Sequence, residues 1–101
     1  MTMRHLTLIC MAGISTSLLV NKMKRLIRNE NLEIAVTAMS ERAFQGYTGQ
    51  TDVLLLGPQL GHRFESLKEQ YESKGIRIDR IDPEHFGAMD AKAVLEQAFP
   101  D

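Results

Sequence analysis

The stretch that decides the fold is LTLICMAGISTSLL, residues 6–19: an apolar run ends at Cys10 and leads past Gly13 into a helical pattern. A helix-spaced apolar stripe follows over residues 15–28. Its members are Leu18, Leu19, Met23, Leu26 and Ile27. A short strand that turns directly into an amphipathic helix is the first half of a βαβ unit, so this stretch predicts an α/β fold.

The chain beyond this unit repeats the alternation of strand and helix. Residues 32–36 alternate apolar and polar positions as a second strand, and residues 40–49 accommodate one or two helical turns. The apolar run 53–56, stopped by Gly57-Pro58, is typical of a buried parallel strand. Helical spacing returns over residues 59–73.

A fourth strand is predicted around Ile76, Ile78 and Ile81, and it ends at Asp82-Pro83. A last helix is predicted over residues 88–99, with Asp90 near its beginning. The order predicts a parallel sheet with right-handed crossovers. In such a sheet ligands bind at the carboxyl ends of the strands, where the strand order reverses. If strands one and three are neighbours, residues 10–17 and 57–59 face each other there.

Length and composition predict one domain over residues 1–101, since domains usually hold about 100 to 200 residues. A single cysteine excludes an internal disulfide, and no Cys/His cluster has the spacing of a metal site. A net charge of −1 does not point to nucleic acid. No apolar run approaches the ~20 residues of a membrane span. We therefore expect a cytoplasmic protein without metal, cofactor or direct membrane insertion.

The segment Cys10–Ser17 carries the chemistry. Where a strand passes into a helix through small residues, backbone N–H groups without helical partners form a concave anion site. Three hydroxyl groups add donors, from Ser15, Thr16 and Ser17. A helix N-terminus also lowers a thiol pKa, so Cys10 is predicted to be a thiolate nucleophile that accepts a phosphoryl group.

Two other functions remain open at this point. The segment is not a nucleotide-binding P-loop, which needs a second Gly followed by Lys. A low-molecular-weight tyrosine phosphatase uses Cys with Arg six positions later, where this chain has Thr16, but Asp82-Pro83 resembles the general-acid dipeptide of those enzymes. Without the Arg fork, hydrolysis should be slow. A non-catalytic anion-binding regulatory module is the third possibility.

The residues Cys10–Val20 with Lys22-Met23 resemble the phosphorylation loop and first helix of the lactose/cellobiose-type IIB components of the bacterial phosphoenolpyruvate-dependent sugar phosphotransferase system. The resemblance continues at Asp52–Gln59 and, more weakly, at Phe86–Asp90. Ile14 stands where the family usually has Met, a conservative change that should preserve the loop.

The resemblance implies a four-stranded parallel sheet of order 2-1-3-4 with helices on both faces, similar to low-molecular-weight tyrosine phosphatases. It implies that Cys10 accepts phosphate from the phosphohistidine of a IIA protein and passes it to a sugar in a membrane IIC transporter. The sugar would be a disaccharide such as cellobiose, lactose or chitobiose. Gln59 and Asp82 are possible secondary site residues. The phosphate-binding residues would be Met11, Ala12, Gly13, Ile14, Ser15, Thr16 and Ser17.

Three further groups of residues are candidates for function: the histidines, the basic residues of the first helix and two apolar residues of the loop. The histidines His5, His62 and His85 have no supporting motif and are expected to be surface or structural residues. The first helix concentrates positive charge, which is either a solvated face or a rim that docks an acidic partner. Met11 and Ile14 are candidate interface residues, as apolar side chains beside a reactive thiol. The charges belong to Lys22, Lys24, Arg25 and Arg28.

Overall fold

The computed structural model describes residues 3–11 and 14–100, and for Ile14 and Ser15 the backbone alone. Its strands form one four-stranded parallel sheet with the order β2-β1-β3-β4, which confirms the predicted fold. The strands are β1 Arg4–Ile9, β2 Ile34–Met39, β3 Val53–Leu56 and β4 Arg77–Arg80. The helices are α1 Ile14–Asn29, α2 Glu41–Gln45, α3 Phe64–Glu72, α4 Pro83–Gly87 and α5 Ala91–Ala98.

The second half of the chain departs from the predicted helix boundaries in two places. The helix predicted over residues 59–73 begins as a 3-10 helix, Pro58–Arg63, before α3. The helix predicted over residues 88–99 is shorter, and α4 precedes it. The α4 helix starts at Asp82-Pro83 because Asp82 accepts a hydrogen bond from the Glu84 amide and proline suits the first helical position.

Two apolar clusters fill the faces of the sheet, because successive side chains of a strand point to opposite sides. Leu6, Leu8 and Cys10 pack with α1, α4 and α5, while Ile9 packs with α2 and α3 on the other face. The predicted covering of both faces is therefore confirmed. Among the described residues, no helix is both long and apolar enough to cross a membrane.

The carboxyl ends of three strands meet around Cys10. The Cys10 amide donates to the Met39 carbonyl oxygen at the end of β2, 3.1 Å away, and the Gly57 amide donates to the Ile9 carbonyl oxygen over 2.9 Å. β1 lies between β2 and β3, with Ile9 opposite Leu56. The predicted adjacency of strands one and three is confirmed, and it brings the loop after β3 to the thiol.

Candidate functional site

Cys10 follows the last residue of β1, the strand next to the middle of the sheet. Its side chain is 4% exposed and belongs to the apolar cluster beneath α1. The next residue, Met11, is 61% exposed. The chain thus passes from core to surface within one residue, and the thiol lies just beneath that surface.

A cavity of ≈ 220 Å³ opens beside the thiol, between the first turn of α1 and the end of β2. Thr16 is buried in its wall, whereas Ser17 is exposed. Among the residues that the structure describes, the lining consists of Cys10, Met11, Thr16, Ser17, Ala38, Met39 and Ser40.

The environment of the thiol favours its neutral form. Burial raises the pKa of Cys10 above its ordinary value, and hydrogen bonds from the Thr16 side chain and the Gly57 backbone lower it in part. The prediction of a lowered pKa is therefore wrong for the unphosphorylated protein. Removal of the sulfur from water outweighs the donors around it, because a buried thiolate loses its hydration.

Gly57 brings the loop after β3 against the thiol. A Cβ built on Gly57 would lie 3.1 Å from Cys10 Sγ and 2.8 Å from Gln59 Oε1. Its φ of −59° suits any residue, so the close approach of the thiol, and not the backbone conformation, disfavours a side chain here. The side chain of Gln59, a predicted site residue, and the thiol of Cys10 therefore both lie next to Gly57.

The predicted phosphate loop is described only in part. Ala12 and Gly13 lie outside the described residues, as do the side chains of Ile14 and Ser15. α1 begins at Ile14, so the amides of its first turn have no carbonyl partners within the helix. Thr16 and Ser17 place that turn beside the thiol.

Asp82 lies in a different part of the carboxyl edge of the sheet. Its carboxylate accepts from the Glu84 amide over 2.9 Å, which makes it the cap of α4. It borders a separate cavity of ≈ 440 Å³, and its backbone amide donates to the Gln97 side chain. The lining of the thiol cavity does not include Asp82.

The sequence patterns missed the wall formed by the end of β2 and the start of α2. Ser40 caps α2 by accepting from the Ala43 amide, and the serine before a helical turn was a usable signal. Next to it, Glu41 accepts two hydrogen bonds from Arg63, over 3.1 and 2.7 Å. This ion pair joins the segments after β2 and β3. Arg63 holds the pKa of Glu41 below its usual range.

The histidines do not enter the site. His5, His62 and His85 are absent from the lining of the thiol cavity. In the part of the chain that the structure describes, no three His, Cys, Asp or Glu side chains are grouped so as to hold a metal ion. Among its described residues, the lining of this cavity offers the Cys10 thiol and the hydroxyl groups of Thr16, Ser17 and Ser40.

Comparison with known proteins gives a consistent result. Residues 6–97 match the family described as PTS system, lactose/cellobiose specific IIB subunit. The oligo-beta-mannoside-specific EIIB component of Bacillus subtilis is 31% identical over 97 residues, which cover 96% of this chain and 94% of that protein. The cellobiose-specific EIIB component of Lactococcus lactis is 33% identical over 98 residues, covering 92% and 91%.

A solved structure shares the architecture. The solution structure of a cellobiose-specific phosphotransferase IIB component from Borrelia burgdorferi superimposes with a TM-score of 0.80. Its sequence is 30% identical, and the match covers 98% of this chain and 91% of that one. The likeness therefore extends over the sheet, its helices and the thiol end of the fold.

Proposed function

The chain belongs to the lactose/cellobiose-specific IIB family of the phosphotransferase system, and we propose that Cys10 is the residue on which it carries the phosphoryl group. The proposal rests on one observation. The single cysteine of the sequence lies at the carboxyl end of β1, beside a small cavity that the first turn of α1 borders. Residues 1–101 would act as one phosphocarrier domain.

The first transfer would come from the phosphohistidine of a IIA protein. The thiol sulfur attacks phosphorus, an S–P bond forms, and the P–N bond to the imidazole breaks. Because burial keeps the Cys10 thiol protonated at neutral pH, its proton passes to the imidazole nitrogen that leaves. The donor would thus supply the base that the buried thiol needs.

The donors around the sulfur would then hold the phosphoryl oxygens. Thr16 and Ser17 offer a hydroxyl each, and the first amides of α1 add the positive end of the helix dipole. The remaining loop positions, Met11 to Ser15, complete the proposed phosphate-binding segment. Gln59 would lie at the edge of this segment, because its side chain and the Cys10 sulfur both approach Gly57. A phosphoryl group so held is stabilised by fixed dipoles, without an Arg fork.

The second transfer would deliver the phosphoryl group to a sugar held by a membrane IIC component, with this chain working in the cytoplasm. A disaccharide of the cellobiose or lactose type is the proposed substrate class. The named sugars of the two relatives differ while their identities to this chain are nearly equal, 31% and 33%. Overall identity therefore carries little information on the sugar.

The test is phosphorylation of the purified chain. Incubation with phosphoenolpyruvate, the general phosphotransferase proteins and a IIA protein should add one phosphoryl group to the intact mass. The adduct should be iodine-sensitive, as expected for phosphocysteine. The Cys10→Ser variant should gain no such adduct, while the Ser66→Ala variant, changed at an exposed serine of α3, should still gain one.

Two results would reject the proposal in favour of the alternatives. Rapid, Cys10-dependent turnover of an aryl phosphate would make the chain a hydrolase similar to low-molecular-weight tyrosine phosphatases. Anion binding that survives Cys10→Ala, in a wild type that gains no phosphoryl group, would make it a non-catalytic regulatory module.

A further inference from the structure

A surface with one apolar end and one cationic end extends from the thiol along α1. Two large apolar side chains are exposed at its apolar end. Met11 is 61% exposed and lines the thiol cavity. Leu18 is 52% exposed and follows Ser17, which lines the same cavity. Together with the exposed cations of the same helix they define the α1 docking face. Those cations are Lys22, Lys24, Arg25 and Arg28.

Helical spacing aligns the two ends. Leu18, Lys22 and Arg25 follow one another at intervals of four and three residues, so they share one stripe of α1. Lys24 and Arg28 lie on the adjacent stripe. The second of these stripes passes through Ser17, which lines the thiol cavity, and the positive charge of α1 lies farther along the helix than Leu18.

The charge of this face is uncompensated. α1 contains four basic and no acidic side chains, whereas the rest of the chain holds 13 acidic and eight basic ones. Within residues 3–11 and 14–100, none of the four α1 cations forms an ion pair. A local excess of positive charge on a chain of net charge −1 favours approach by a partner with an acidic surface.

A groove connects one of these cations, Lys24, to the thiol. The cavity beside Cys10 shares Thr16, Ser17 and Ala38 with a second cavity of ≈ 280 Å³ between α1 and the outer strand β2. Lys24 lines the far part of that second cavity. A partner that reaches the sulfur therefore covers the groove and meets Lys24 on the same face.

We infer that the α1 docking face receives the phosphorylated donor protein, and that the donor presents acidic side chains around its phosphohistidine; this inference rests on the proposed function. The donor arrives with a dianionic phosphoryl group while the Cys10 thiol is neutral, so the face then has its full positive charge. After transfer the phosphoryl group lies at the start of α1 and offsets part of that charge. Attraction is strongest at the first encounter.

Charge reversal on two faces separates this role from a general effect of net charge. The Lys24→Glu/Arg25→Glu variant alters the α1 docking face, and Lys68→Glu/Lys74→Glu makes the same change in charge on the α3 side of the sheet. The measurement is the initial rate of Cys10 phosphorylation at donor concentrations below saturation. It is made with a histidine-phosphorylated IIA protein at low and at high ionic strength.

The α1 variant should be about tenfold slower at low salt, within the range of electrostatic steering, and the α3 variant should match the wild type. The deficit should shrink at high salt, because charges farther apart than ~8 Å are screened at physiological ionic strength. Long incubation should bring both variants to full phosphorylation.

Two results would overturn the inference. Equal rates for the two variants would remove the role of α1. A deficit that appears only in transfer from phosphorylated Cys10 to sugar in IIC-containing vesicles would assign the face to the acceptor. Absence of any adduct on the wild type would instead reject the proposed function on which the inference rests.

Discussion

A Cβ built on Gly57 would lie 3.1 Å from the sulfur of Cys10, closer than ordinary van der Waals contact. The amide of Gly57 also donates to the Ile9 carbonyl oxygen, so its position is fixed by the sheet. The loop after β3 and the thiol after β1 are therefore fitted to each other, with no room for a side chain between them.

The Gly57→Ala variant should transfer phosphate about tenfold more slowly, less than the roughly 100-fold that a misplacement of 1 Å can cost. The sulfur must move by a few tenths of an ångström, while Gln59, being exposed, can turn away. The backbone conformation suits alanine, so the melting temperature should change little. Gly61→Ala is the control, because its nearest contact would be an ordinary 3.9 Å from Arg80 Cδ. Equal rates for both variants would contradict the argument.

The Thr16→Val variant should make the thiol harder to ionise. The Thr16 side chain is one of the two groups whose hydrogen bonds lower the pKa of Cys10 against the effect of burial. A hydrogen bond to a charged group contributes roughly 1.5 kcal/mol or more, so alkylation by iodoacetamide at neutral pH should slow about tenfold. The full pH profile of alkylation separates ionisation from access: its midpoint should move upward.

Ser17→Ala provides the matched control for this measurement. Ser17 lines the same cavity but is exposed and is not a group that lowers the thiol pKa. Its alkylation profile should superimpose on that of the wild type. A midpoint that moves equally in both variants would show that cavity shape, and not the Thr16 hydroxyl, sets the reactivity.

The strands and the thiol loop were predictable because their signals are local. The apolar run 53–56 and the passage from Cys10 into a helix depend on neighbours in the sequence. The pKa of Cys10 was not predictable in this way. The burial that raises it comes from packing with distant elements, and of the two hydrogen-bonding groups that lower it in part, only Thr16 is near Cys10 in the sequence.

The ion pair between Glu41 and Arg63 was missed for the same reason. Glu41 and Arg63 are separated by 22 positions, and nothing in either segment identifies the other as its partner. The start of α4 was a different failure. Asp82-Pro83 follows the end of β4, as predicted, but the Asp82 carboxylate also caps a helix that begins at Pro83.

The Asp82→Ala variant should lose stability without loss of phosphorylation. Its carboxylate caps α4, and removing such a cap costs about 1 kcal/mol. Asp90→Ala is the matched variant, because Asp90 caps α5 by accepting from the Ala93 amide over 3.0 Å. In urea unfolding, both variants should lose a similar free energy of unfolding. Both should also be phosphorylated on Cys10 at the rate of the wild type. A loss of phosphorylation confined to Asp82→Ala would give that carboxylate a chemical role.

The free energy of unfolding should decrease as the pH becomes alkaline, because the Cys10 thiol ionises more readily in the unfolded chain. Burial raises the thiol pKa in the folded protein above that of the unfolded chain, so the folded state holds its proton to higher pH. The contribution of the neutral thiol to stability is then complete below the unfolded pKa. It declines as pH rises from that value through the folded pKa, because the unfolded state releases the proton first.

The measurement compares wild type with Cys10→Ala over the alkaline range by urea unfolding. The variant keeps every other titrating group, so the difference in unfolding free energy between the two proteins isolates the thiol. Alanine leaves a small cavity in the cluster beneath α1, so the wild type should be the more stable at neutral pH. That advantage should narrow steadily above the ordinary pKa of a thiol, near ~8.5. Parallel curves would mean that burial does not hold the proton on Cys10, and the donor would then need no base function in the first transfer.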